Sequence, residues 1–211
     1  MKLRIAACVL AVVLSACGQG AAPPATSANA EAPAFTLTCA DFAELTPATL
    51  AERFGAENVT TQTLPGAEGE SYEATLVYAN DPTRRLEISW NEDKSAIASA
   101  TIGDPGTQWR GAESYTIGTP IGDIERMNVM PFKLWGFDWD YGGWVSDWNA
   151  GALSQSTVPG CTVRMRFEPR SQTNTSSASG DSEFASNDPA MRAADPAVAA
   201  FGLLFGSADA E

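Results

Sequence analysis

The sequence predicts an α+β fold of two related units, each a short helix packed on an antiparallel sheet, and three observations carry that prediction. Helix-start signals occur twice, at Thr46-Pro47 and Thr119-Pro120, each followed by runs in which apolar and polar residues alternate. Turn-forming clusters such as Asn80-Asp81-Pro82-Thr83 and Asn91-Glu92-Asp93-Lys94 separate those runs. Hydrophobic residues make up 44% of the chain and charged residues 18%, a balance that supports a packed core.

The first element is a leader. Lys2 and Arg4 precede an apolar run from Ile5 to Leu14 and the small-residue site Leu14-Ser15-Ala16-Cys17-Gly18, which is a signal-peptide pattern over residues 1–16. The run is too short for a membrane span of about 20 residues. The site resembles the lipobox of bacterial lipoproteins. That resemblance implies cleavage before Cys17, acyl chains on Cys17 and anchoring in the cell envelope, where each buried methylene contributes about 0.8 kcal/mol. With Gly18 in place of an aspartate it points to the outer membrane, facing the periplasm or the cell surface. Residues 17–34 then form the lipidated cysteine and a tether rich in Ala, Pro, Ser and Thr, with a flexible reach of roughly 20 to 25 Å.

The first unit is expected over residues 35–118. Thr46 caps a helix from Pro47 to Phe54, with Leu50 and Phe54 one turn apart and Gly55 at its end. Three antiparallel strands follow, Tyr72 to Ala79, Arg84 to Trp90 and Ala96 to Ile102; Leu86, Ile88 and Trp90 alternate with Arg85, Glu87 and Ser89. The second unit is expected over residues 119–211. Glu125-Arg126-Met127-Asn128 after Thr119-Pro120 repeats Glu52-Arg53-Phe54-Gly55 after Thr46-Pro47 at the same offsets, 73 residues on, with a matching cap and a residue tolerant of left-handed backbone at each helix end. Its strands are Phe132 to Tyr141, Trp144 to Trp148, Cys161 to Phe167 and Val198 to Phe205. Residues 171–188, dominated by Ser, Asn, Thr and Gly, read as a mobile loop, with Asn187-Asp188-Pro189 able to start a helical turn.

Phe132 to Trp148 holds seven of the 19 aromatic residues. Read as a hairpin turning at Gly142-Gly143, it sets Trp135, Phe137, Trp139 and Tyr141 on one face and Asp138 and Asp140 on the other. The aromatic face is then core and the aspartates solvated, or the stretch is a binding surface; its candidate residues are Trp135, Asp138, Trp139, Asp140, Tyr141, Trp144 and Asp147. Carboxylates beside tryptophans also occur in glycosidases, but i and i+2 on one strand, roughly 7 Å apart, specify no particular carboxylate geometry.

A helix followed by an antiparallel sheet, twice, is similar to the β-lactamase inhibitory protein architecture and, for one unit, to small outer-membrane assembly lipoproteins. The resemblance rests on the helix-cap echo and the strand order over about residues 39 to 206 and implies a binding or inhibitory role.

Cys8 lies in the leader and Cys17 is the lipidation residue, which leaves Cys39 and Cys161. In an oxidising envelope an isolated pair forms one disulfide, the alternative being two buried thiols. No histidine occurs, so histidine-based nucleophile systems and imidazole metal sites are excluded, and no phosphate-loop, dinucleotide or calcium-loop pattern appears; we expect no catalytic residues, no metal and no cofactor. Thirteen Lys plus Arg against 26 Asp plus Glu, net −13, argues against nucleic acid and favours basic partners. The expected function is a lipid-anchored, non-enzymatic binding or inhibitory module facing a basic protein. The competing readings are a structural or assembly lipoprotein and a protein that binds carbohydrate or peptidoglycan.

Overall fold

Local sequence fixes the first helices. The computed structural model describes residues 35–66, 69–170 and 175–206, which belong to one compact unit. The expected leader, lipidation residue Cys17 and tether lie outside the described residues. In chain order the elements are β1 (Thr36–Leu37), α1 (Cys39–Phe42), α2 (Pro47–Phe54), β2 (Val59–Pro65), β3 (Ser71–Val77), β4 (Leu86–Trp90), β5 (Ile97–Ile102), β6 (Arg110–Gly111), α3 (Ile121–Asn128), β7 (Lys133–Trp135), β8 (Val145–Asp147), β9 (Cys161–Pro169), β10 (Glu183–Ala185), α4 (Pro189–Ala193) and β11 (Pro196–Phe205).

Helix α2 has the predicted bounds because its cap is complete. The Thr49 amide donates to Thr46 Oγ1 (3.3 Å), the Thr46 amide donates to Thr49 Oγ1 (2.9 Å), and Pro47 occupies the first turn. Leu50 is fully buried, and Arg53 lies over the Phe42 ring at 4.8 Å. Helix α4 starts as its sequence suggests, with Asp188 Oδ1 accepting from the Ala190 amide (2.7 Å).

Six strands form one antiparallel sheet in the order β2-β3-β4-β5-β11-β9. Strands β5 and β11 pair within it, with Thr101 opposite Gly202 and Ile102 opposite Phe201, so both halves of the chain share one sheet. A second sheet, β10-β7-β8, adjoins it through a bridge between Trp144 and Arg166, and β1 pairs with β6 in parallel. On the packed side Trp109 meets Phe35 (5.1 Å between ring centroids) and Phe42 (6.2 Å), while Phe132 stacks on Phe167 (5.7 Å). Cys39 and Cys161 form a disulfide with Cα atoms 5.9 Å apart, tying α1 to the start of β9 across 122 positions.

Three expectations are corrected. Residues 171–188 are not a loop throughout: Ser176–Ala178 form a 3-10 turn with Ala178 buried, and β10 pairs with β7. The cap echo does not extend to α3. Pro120 is its capping residue and supplies no side-chain bond, while Thr119 Oγ1 instead accepts from the Thr116 amide (3.0 Å). Nor is Asn128 the left-handed residue, which is Val129 (φ 67°). Asn128 is buried inside the helix, where its side-chain amide donates to the Met130 carbonyl (2.8 Å) and the Trp148 carbonyl (3.0 Å) and its oxygen accepts from the Leu153 amide (3.1 Å). Those bonds hold the turn that puts an exposed β-branched residue in a disfavoured conformation.

Candidate functional site

The aromatic stretch forms a hairpin, but its connection rather than its strands carries most of the predicted residues. Strand β7 ends at Trp135 because its partner β10 ends there, with Glu183 opposite Trp135. At Gly136 the chain passes so close to residues 178–180 that a Cβ would sit 2.5 Å from the Gly180 carbonyl oxygen. Phe137 then bridges Ser179 in parallel: its amide donates to the Ala178 carbonyl (2.8 Å), and its carbonyl accepts from the Gly180 amide (2.9 Å). Asp138 follows in a left-handed conformation (φ 66°), which ends the alternation.

The predicted single aromatic face is therefore corrected. Leu134 and Phe137 are buried, Trp135 and Trp139 are half-buried, and Tyr141 is 62% exposed. The rings nonetheless pack as a row, with Trp139 edge-on to Trp135 (5.6 Å) and to Tyr141 (5.3 Å) and the Trp139 indole N–H donating to the Gly136 carbonyl (3.0 Å).

The connection is firmly held. The Gly142 amide donates to the Trp139 carbonyl (2.8 Å) and the Gly143 amide to the Trp135 carbonyl (3.1 Å). Gly143 (φ 76°) lies against β9, where a Cβ would come within 2.0 Å of the Phe167 carbonyl oxygen, and its own carbonyl accepts from the Phe167 amide (2.9 Å). Arg166 Nε donates to the Gly142 carbonyl (3.1 Å). The Gly-Gly pair thus supplies a turn, as expected, and a docking point on the large sheet.

The candidate residues separate into groups. Asp138 and Trp139 line a cleft of about 500 Å³ together with Phe137, Arg166, Glu168 and Thr175. In it Ser179 Oγ donates to Asp138 Oδ2 (2.6 Å), and Arg166 Nη2 pairs with Glu168 Oε1 (3.0 Å). Trp135, Asp140 and Tyr141 do not line the cleft: Trp135 is half-buried at the end of β7, and Asp140 and Tyr141 are exposed. Trp144 is engaged elsewhere: the Arg164 guanidinium lies 4.0 Å from its ring centroid, and loss of water there lowers the arginine pKa from its ordinary value. Asp147 sits at the opposite end of the hairpin, opposite Lys133, and accepts from the Asn149 amide (2.7 Å) to hold a turn. The predicted carboxylate set Asp138, Asp140 and Asp147 therefore does not converge.

Sequence reasoning missed Arg166, Glu168, Thr175 and Ser179. Arg166 belongs to the outward face of a recognisable alternating strand, but nothing local to it signals a partner 24 residues earlier. Asp138 and Glu168 are both exposed, and each already pairs with a neighbour, Ser179 and Arg166 respectively. Among the described residues no group of three His, Cys, Asp or Glu is placed to hold a metal ion, and no helix is long and apolar enough to cross a membrane.

Comparison with protein families, curated proteins and solved structures finds no match to this chain.

Proposed function

We propose that this protein is a lipid-anchored cell-envelope binding module without catalytic activity, and that it engages a basic protein through the connection between β7 and β8. The observation that carries the reading is the fixed presentation of Tyr141, which is 62% exposed, beside exposed Asp140 on a loop hydrogen-bonded to both sheets. Rigid aromatic side chains on a held backbone lose little freedom on binding, which is why such residues dominate interaction surfaces. Net charge −13 favours a basic partner by steering association, and removal of a leader containing Lys2 and Arg4 makes the mature chain more acidic. An inhibitor of a basic enzyme fits this description.

The envelope location rests on the lipobox resemblance at Leu14 to Cys17, with Cys17 as the anchor; replacing Cys17 by Ser should release the protein from the membrane pellet. We further propose that the chain arose from two related units. The strand order supports this: in the six-stranded sheet the strands that follow α2, β2 to β5, lie together on one side, and those that follow α3, β11 and β9, lie together on the other.

Capture from native envelopes with the lipidated protein tests the function. A basic protein should be retained at about 0.1 M salt and released towards about 1 M, as the screening length falls from ~10 to ~3 Å. The Asp140→Asn, Tyr141→Ser double variant should lose it while melting normally. Retention by that variant contradicts the reading.

A further inference from the structure

The cleft beside this loop has a chemistry of its own. We propose that it is a saccharide subsite, taking a pyranose unit against Trp139 with the ring hydroxyls directed to Asp138, Arg166, Glu168 and Thr175. Its volume, about 500 Å³, lies in the range of about 300–1,000 Å³ typical of small-molecule sites.

The balance of groups selects this ligand class. Asp138 and Glu168 disfavour a phosphate or other anion. The Arg166 guanidinium, 3.0 Å from Glu168, offsets much of the negative field that a lysine or arginine side chain would need. A purely apolar ligand would strip water from four polar side chains and return no hydrogen bonds. A sugar satisfies all of these groups. Its hydroxyls both donate and accept, matching two carboxylate acceptors, a guanidinium donor and a threonine hydroxyl that does either, while its C–H face suits an aromatic ring.

The groups are also set in place before any ligand arrives. The Trp139 indole is pinned by its bond to the Gly136 carbonyl (3.0 Å) and by the flanking rings of Trp135 and Tyr141. Asp138 is fixed by its left-handed backbone (φ 66°) and by the Ser179 hydroxyl (2.6 Å). Arg166 is anchored to the loop through the Gly142 carbonyl (3.1 Å). An aspartate held in a sparsely populated conformation at the wall of a cleft is the kind of feature that accompanies ligand sites. The proposal does not require the basic-partner reading: of that reading's contacts, Asp140 and Tyr141, neither lines the cleft, although the Tyr141 ring steadies Trp139.

The test is saturation-transfer NMR on the full lipidated protein in a non-glycosidic detergent, with chitotetraose and maltotetraose as probes and L-arginine and inorganic phosphate as competitors. At least one oligosaccharide should receive saturation at its ring protons, and neither competitor should displace it. Trp139→Ala and Glu168→Gln should each weaken binding by about tenfold or more, the loss of one stacking or charge-assisted contact. Asp140→Asn should leave it unchanged, so failure of basic-protein capture and failure of this proposal read out separately. Circular dichroism confirms the fold of each variant; if Trp139→Ala is unfolded, Glu168→Gln and Thr175→Val decide. Absence of saturation for both oligosaccharides, displacement by arginine, or binding that survives these substitutions overturns the proposal.

Discussion

Phe137 and Trp139 are two residues apart on the same loop, yet their surroundings predict different responses to truncation. Phe137 is 3% exposed and lies where the loop crosses residues 178–180, so Phe137→Ala removes a filled volume that its neighbours cannot close. Such changes cost about 3 to 5 kcal/mol. For a domain of this size each kcal/mol moves Tm by about 2 to 4 °C, giving a fall of about 6 to 20 °C. Trp139 is half-buried, and its removal forfeits part of an aromatic row and one hydrogen bond to the Gly136 carbonyl, itself worth about 1 kcal/mol. Trp139→Ala should therefore melt well above Phe137→Ala, and Asp138→Asn, which keeps an acceptor for the Ser179 hydroxyl and tolerates the left-handed backbone, higher still. Thermal unfolding followed by far-UV circular dichroism on the three variants decides the ranking. Equal melting of Phe137→Ala and Trp139→Ala, or the reverse order, refutes the reasoning.

Other parts of the molecule make separate predictions. The Cys39–Cys161 bridge closes a loop of 122 positions, so reduction should remove roughly 5 kcal/mol of stability in denaturant titrations; free thiols on the protein purified without reductant would contradict the bond. Asn128→Leu should remove more than about 2 kcal/mol because it leaves the Leu153 amide and the Met130 carbonyl unpaired, while the Trp148 carbonyl keeps its bond from the Gly151 amide; unchanged melting would show that the two orphaned groups find other partners. Partial burial, the hydrogen bond to Glu87 and the Glu87 charge push the Tyr72 phenol from 10.0 up to about 12, and burial together with the Glu113 charge raises Tyr115. Between about pH 10 and pH 12 the unfolded chain releases a proton that folded Tyr72 retains, so this contribution to stability is full below pH 10 and disappears across that window. Tyrosinate absorbance of the native protein should rise at higher pH than that of the unfolded protein, and superimposable titrations would contradict both environments.

The helix α2 was legible because its determinants are neighbours in sequence: a capping threonine, a proline in the first turn and an apolar residue facing the core. Strands β3, β4, β5, β9 and β11 were legible, within a few residues at their ends, from alternation against a buried face. Strand β2 was not. It is an edge strand rich in exposed Thr and Gln, and it has no apolar rhythm to read. Strand β10 escaped because its partner β7 lies some fifty residues away and its own three residues are unremarkable in composition. At the site, aromatic density marked the right stretch, but the local conformation depended on contacts that alternation cannot encode. Asp138 turns left-handed beside Ser179, 41 positions on, and Gly143 docks on Phe167. The same long-range contacts bring Arg166 and Glu168 to the cleft and leave Asp147 at the far end of the hairpin.

Hydroxyl-radical footprinting of the protein, compared between native envelopes and the purified state, tests the central claim that the loop between β7 and β8 is a contact surface. Tyr141, 62% exposed when alone, is the reporter, and Tyr72, 40% exposed on β3, is the internal reference. The account predicts that Tyr141 is protected in the envelope while Tyr72 reacts as before. Equal reactivity of Tyr141 in both states, or equal protection of both tyrosines, would contradict it.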